Sequence, residues 1–159
     1  MGNLVIDQAG SLYGVSEVGG TGTSCLDGSF FGRCGTVFRI TPAATDTSWQ
    51  ESVIYNFQGR EDGSSPMTGI TMASDGELFG TTMSGPSYAV GCGSVFSLVH
   101  DPEGPWLINI LHPASSGSSG PCVVPASAVL PYENKILGLT DAGGAFQEGV
   151  VYAIFLQNR

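Results

Sequence analysis

From residue 35 to 40 the chain reads GTVFRI. In an extended backbone Val37 and Arg39 fall on one side of such a segment, and Phe38 and Ile40 on the other. The same short alternation recurs along the chain, broken by Gly-, Ser- and Asp-rich stretches, and no long segment carries a helical period. The pattern predicts a first strand over 4–7, again over 70–73 and again over 128–131. Each is followed by a turn (QAGS, SDGE or YENK) and by a second strand over 11–17, 77–83 and 135–141. Asp75-Gly76 suits a type I′ hairpin, whose two central residues both need positive φ. A Gly-rich loop then leads to a third strand over 35–42, 93–100 and 149–156, and a fourth follows over 49–57 and 106–112.

These strands are copies of one unit. Leu12-Tyr13-Gly14, Leu78-Phe79-Gly80 and Ile136-Leu137-Gly138 are spaced by 66 and 58 residues. Gly35-Thr36-Val37-Phe38, Gly93-Ser94-Val95-Phe96 and Gly149-Val150-Val151-Tyr152 are spaced by 58 and 56. The discrepancy is an insertion in the first copy, over 21–33. A near-constant period with insertions confined to one loop marks a repeat architecture. The expected fold is all-β: one domain over 1–159, with repeats over 1–67, 68–125 and 126–159, forming a propeller-like array of three blade-type antiparallel sheets with about 11 strands. Propellers close with four to eight blades. Three blades therefore point to completion by oligomerisation, two chains closing a six-bladed ring, or else to part of a longer protein or a compact three-sheet fold.

Composition narrows the function classes. Charged residues make up 12% of the chain, about half the usual share, and 42% is hydrophobic, too much for disorder. The net charge of −9 argues against nucleic acid as a partner, because phosphate binding needs a positive face. No run of 18 apolar residues is present to cross a membrane as a helix. The opening MGNLVIDQAG shows no signal-peptide pattern and enters directly on a strand, which reads as a mature form or a partial frame. Cys25, Cys34, Cys92 and Cys122 allow three disulfide connectivities. The preferred one is Cys25–Cys34 with Cys92–Cys122, and four reduced buried thiols are the alternative.

The phrases Leu78-Phe79-Gly80-Thr81-Thr82, Cys34-Gly35-Thr36-Val37-Phe38 and Cys92-Gly93-Ser94-Val95-Phe96 resemble the GloVer repeat, as does Tyr55-Asn56-Phe57 leading to Asp62-Gly63 and Pro66. GloVer repeats occur in tandem in bacterial, often secreted proteins. The resemblance spans nearly the whole chain and is weakest in the third copy, where Glu148 stands for the cysteine and Leu139 for the first threonine. It implies β-sheet repeats and export, to an extracellular or periplasmic location, and it implies no reaction. A looser similarity, at the level of fold, links an acidic propeller-like chain to small calcium-dependent lactonases that open acyl-homoserine lactones.

The chain has no GxSxG elbow; the nearest stretch, SSGSSGPC over 115–122, has the wrong spacing and reads as a loop. His100 and His112 end the third and fourth strands of the second copy, so antiparallel pairing would place them at opposite ends. The acids are the better candidates. Asp7, Asp75 and Glu133 lie at the first turns, Glu17 and Asp141 follow the second strands, Asp27 is in the insertion, and Glu61 and Asp62 sit in GREDGSSP. Asp7, Glu17, Asp75 and Asp141 are the expected catalytic acids. Asp7, Asp75 and Asp141 are the expected ligands of a Ca²⁺ ion, the one cofactor anticipated, which would polarise a lactone or ester carbonyl and activate water. Each acid is equally readable as a turn residue. Phe30, Phe31, Tyr88 and Phe146 lie in the loops that differ between copies and are the expected substrate-binding aromatics. Trp49 and Trp106 start equivalent strands and would serve a sugar ligand if exposed. Three readings follow: a metal-assisted lactone or ester hydrolase, a non-catalytic carbohydrate-binding or interaction module, and a structural repeat of a larger assembly.

Overall fold

The computed structural model describes residues 2–25, 33–45, 47–85, 93–112, 125–142, 145–146 and 148–156. Among these residues there are eleven strands and no helix. The first sheet holds β1 (Val5–Ile6), β2 (Leu12–Ser16), β3 (Thr36–Pro42) and β4 (Trp49–Asn56) in chain order. The second holds β5 (Ile70–Met72), β6 (Leu78–Thr82), β7 (Ser94–His100) and β8 (Trp106–His112). The third holds β9 (Leu130–Tyr132), β10 (Lys135–Leu139) and β11 (Val151–Phe155). All pairings are antiparallel. The all-β reading with four, four and three strands is what the molecule adopts. The third sheet's first strand begins at Leu130 rather than at residue 128.

The sheets stack face to face in chain order, with β5 touching both β1 and β9, so the first strands gather along one edge of the stack. Between the first and second sheets lies a core of Tyr13, Val37, Phe57, Leu78, Phe96 and Leu98, backed by Val5, Val15, Met72 and Trp106. Between the second and third lies a core of Phe79, Val95, Val129 and Ile136, backed by Tyr152 and Ile154. Alternation assigns these faces: on β6, Leu78 turns to the first sheet and Phe79 to the third. Each interface is also sewn by polar contacts. Asn3 Nδ2 donates to the Ile70 carbonyl at 3.3 Å, and Thr71 Oγ1 donates to the Val129 carbonyl at 2.8 Å.

The repeated aromatic-glycine phrases have a steric cause. Gly14 pairs with Phe38, Gly80 with Phe96 and Gly138 with Tyr152 across the second and third strands. In each pair the aromatic ring lies over the glycine. A Cβ on Gly80 would stand 2.5 Å from Phe96 Cζ, one on Gly14 would stand 2.6 Å from Phe38 Cζ, and one on Gly138 would stand 2.2 Å from Tyr152 Cζ. Such cross-strand cover recovers the packing that a bare glycine forfeits. Ser16 and Thr82, which close β2 and β6, and Thr140, which follows β10, serve the loop that comes next. Thr82 Oγ1 meets Ser94 Oγ at 2.7 Å, Val150 N donates to Thr140 Oγ1 at 3.0 Å, and Ser16 Oγ donates to the Val18 carbonyl at 2.7 Å.

Two details depart from the sequence pattern. The β5–β6 turn is not type I′, since Gly76 has a φ of 87° but Asp75 is not in the positive region. Instead Gly76 N bonds to the Ala73 carbonyl and Ala73 N to the Glu77 carbonyl, giving a three-residue connection closed by a left-handed glycine. The β1–β2 turn repeats this geometry with Gly10 at φ 86°. The second departure is a β-bulge in the outer strand, between Val37/Phe38 and their β4 partners and again between Val95/Phe96 and theirs in β8. The bulge falls at the same repeat position twice, so the copies agree in register as well as in composition.

Cys25 and Cys34 form a disulfide with a Cα–Cα distance of 5.2 Å. Cys92 and Cys122 lie outside the described residues. Tyr152 differs from Phe38 and Phe96 only by its hydroxyl, which is buried without a hydrogen-bond partner among the described residues. Burial pushes that phenol up to about 12. Tyr152→Phe removes an unsatisfied polar atom and keeps the ring over Gly138. It is expected to leave stability unchanged or to raise it by up to about 1 kcal/mol in urea unfolding.

Candidate functional site

The turns between first and second strands are held by their own aspartates. Asp7 Oδ1 accepts from Ala9 N at 2.9 Å and Ser11 N at 2.8 Å, and its Oδ2 accepts from the Tyr13 hydroxyl at 3.0 Å. Asp75 Oδ1 accepts from Glu77 N at 3.1 Å. Aspartate is placed here because its short carboxylate reaches amides two residues on. Desolvation raises the Asp7 carboxyl, but the bonds from Ser11, Tyr13 and Ala9 outweigh it and hold the group below its ordinary value. Desolvation first, and then the bond to Asp7, pushes the Tyr13 phenol up.

Where the first and second sheets meet, these two turns form the rim of a cavity of about 540 Å³. The first sheet contributes Asp7, Tyr13 and Arg39. The second contributes Asp75, Glu77, His100 and Trp106. Trp106 stacks edge-on to Tyr13 with centroids 6.1 Å apart and lies 4.9 Å from the His100 ring. It is half-buried, so it bridges the two sheets and keeps part of its ring on the cavity. Arg39 projects from β3 on the same face as Val37, and its Nε is buried with no acceptor among the described residues. The site thus combines an aromatic platform, three carboxylates and one guanidinium.

Of the expected catalytic acids, the structure brings Asp7 and Asp75 together. It places Glu17 and Asp141 elsewhere. Asp7 precedes β2 and Glu17 follows it, and a five-residue strand spans roughly 16 Å. Asp141 follows β10 and lines a different cavity with Thr82, Met83 and Pro125. The expected calcium set of Asp7, Asp75 and Asp141 is therefore not one site. Among the described residues no three His, Cys, Asp or Glu side chains stand close enough to hold an ion. Asp7 is also engaged by three donors. Glu133 sits in the third turn, exposed, 3.6 Å from Lys135 Nζ. Asp62 is buried and bound to its own loop. His100 and His112 stand at opposite ends of the β7–β8 pair, opposite Trp106 and Val95. Phe146 is 86% exposed and lines none of the cavities described here. Phe30, Phe31, Tyr88 and Asp27, like the loop over 115–122, lie outside the described residues.

Arg39 and Glu77 were not among the residues singled out from sequence. Their signal was a break in the repeat: Arg39 stands where the other copies have Ser97 and Ala153, and Glu77 where they have Ser11 and Lys135.

The depressed Asp7 carboxyl predicts an acid limb in stability. Its contribution is complete above the unfolded value of about 4 and is lost as pH falls through the lower folded value. Thermal melts of Asp7→Asn between pH 7 and 2.5 are expected to fall less steeply with acid than those of the wild type. Parallel slopes would show that the turn bonds do not set this limb.

Comparison with family models, with curated proteins and with solved structures finds no match for this chain.

Proposed function

We propose that this protein is a non-catalytic binding module, an exported repeat of the GloVer type, whose inter-sheet cleft takes a hydroxyl-rich ligand of the glycan class. The observation that carries this reading is the conjunction of Trp106 with Asp7, Asp75, Glu77 and Arg39 in one cavity. A half-buried indole offers an apolar face to a sugar ring. Carboxylates accept from vicinal hydroxyls, and a guanidinium donates to ring or glycosidic oxygens. Three acids against one arginine favour neutral or amino sugars over sulfated or uronic ones. Asp7 and Asp75 also hold the turns that form the rim, so the cleft is built before a ligand arrives, which lowers the cost of binding. The Cys25–Cys34 disulfide is compatible with an oxidising compartment, as an exported protein requires.

The test is a glycan array followed by titration calorimetry on any sugar retained. Binding that Trp106→Ala and Arg39→Ala each weaken at least tenfold, with no turnover of acyl lactones or aryl esters, supports the reading. Absence of glycan binding overturns it. Lactone opening that is lost on adding EDTA would replace it with the metal-assisted hydrolase.

A further inference from the structure

The stack has two ends, and the repeat identifies what each end fits. In the second sheet the face carrying Met72, Leu78, Phe96, Leu98, Ile108 and Trp106 is packed against the first sheet. The residues at the same repeat positions in the first sheet are Ile6, Leu12, Phe38, Ile40, Glu51 and Trp49. Among the described residues no sheet covers them: Ile6 is 65% exposed and Trp49 54%, and Val53 beside them is 48% exposed. The opposite face shows the converse. In the first sheet Val5, Tyr13, Val15 and Val37 cover the second sheet. Their counterparts in the third sheet are Leu130, Leu137, Leu139 and Val151, followed on the same face of β11 by Phe155. Val151 is 74% exposed and Phe155 68%.

One chain therefore carries both halves of the interface that it uses twice internally. We infer that a second copy of this chain docks head to tail, with the open face of its β1–β4 sheet seated on the open face of β9–β11. The contact continues the established sheet-on-sheet packing, and it would cover the exposed apolar side chains of Ile6, Trp49 and Val53 on one face and of Leu130, Val151 and Phe155 on the other. Trp49 marks the register. Its counterpart Trp106 lies against Tyr13 of the preceding sheet, so Trp49 lies against Leu137 of the second copy. Such a contact is heterologous: a surface at one end meets a different surface at the other.

Sedimentation velocity of the full chain tests this, with Val53→Glu on one open face and Phe155→Glu on the other. Both positions are exposed in the single chain, so the variants keep the far-ultraviolet spectrum of the wild type. The wild type is expected to sediment at twice the 16.4 kDa chain mass or above. Each variant alone should sediment as a monomer. An equimolar mixture should associate again, because each variant retains the face that the other has lost. A wild type that stays monomeric at all concentrations overturns the inference. So does association abolished by one variant and untouched by the other, since that pattern belongs to like faces meeting like.

Discussion

Gly80→Ala is expected to lower the unfolding free energy by about 2–3 kcal/mol, the cost of overpacking a close-packed core. Gly80 does not have positive φ, so alanine meets no backbone strain and the penalty is steric. The new Cβ would stand 2.5 Å from Phe96 Cζ. Phe96 has nowhere to retreat, being fully buried with its ring edge-on to Phe57 at 5.2 Å. Gly14→Ala meets Phe38 Cζ and Leu4 Cδ2, each at 2.6 Å, but both side chains lie on a face that no described sheet covers, and both can shift outward. That substitution should cost less than about 1 kcal/mol. Urea unfolding of both variants checks the contrast, and Gly80→Ala with Phe96→Leu should recover part of the loss as a favourable coupling. Equal costs at the two glycines would mean that the ring-over-glycine pairs are not held by the sheet stacking.

Asp62→Ala is expected to cost about 3–4 kcal/mol, because it leaves buried donors without acceptors. The carboxylate is 4% exposed. It accepts from the Tyr55 hydroxyl at 2.6 Å, from Gln58 N at 2.9 and 3.0 Å, and from Gly59 N at 2.9 Å. These bonds fold the loop that leads from β4 toward Ser64, Ser65 and the second sheet. Asp62→Asn keeps an acceptor and should cost roughly half as much. Burial first, and then the bond to Asp62, pushes the Tyr55 phenol well above its ordinary value. Its contribution is complete below the unfolded value of about 10 and is lost as pH rises beyond it. The wild type should therefore lose stability at alkaline pH more steeply than Tyr55→Phe. An Asp62→Ala variant as stable as wild type would show that the loop finds other acceptors.

The strands were legible because alternation such as GTVFRI has a single structural meaning, and the repeat because Gly14, Gly80 and Gly138 recur beneath aromatic partners. Asp62 was visible in the phrase that runs from Tyr55 to Pro66, but not as a buried acceptor, since loop closure leaves no periodic trace. The acids at the first turns were visible as a set, and their engagement with Ala9, Ser11 and Glu77 amides depends on turn geometry that composition does not encode. Grouping Asp141 with Asp7 overlooked the length of a strand. Periodicity tells which residues are equivalent, not which sheet faces the next, so the meeting of Arg39 with Trp106 required the stack itself. Arg39 and Glu77, which line the cleft, stand where the copies disagree along otherwise matched segments.

The chain has two tryptophans, one in the cleft and one on the open face of the first sheet. This makes the decisive measurement direct. Trp49→Phe leaves Trp106 as the sole indole. Its emission would be followed while neutral and amino oligosaccharides are titrated in, alongside the same protein carrying Arg39→Ala. A saturable change in Trp106 emission, weakened by Arg39→Ala, is expected. Flat emission across the panel, or a change indifferent to Arg39, would contradict the assignment of function to this cleft.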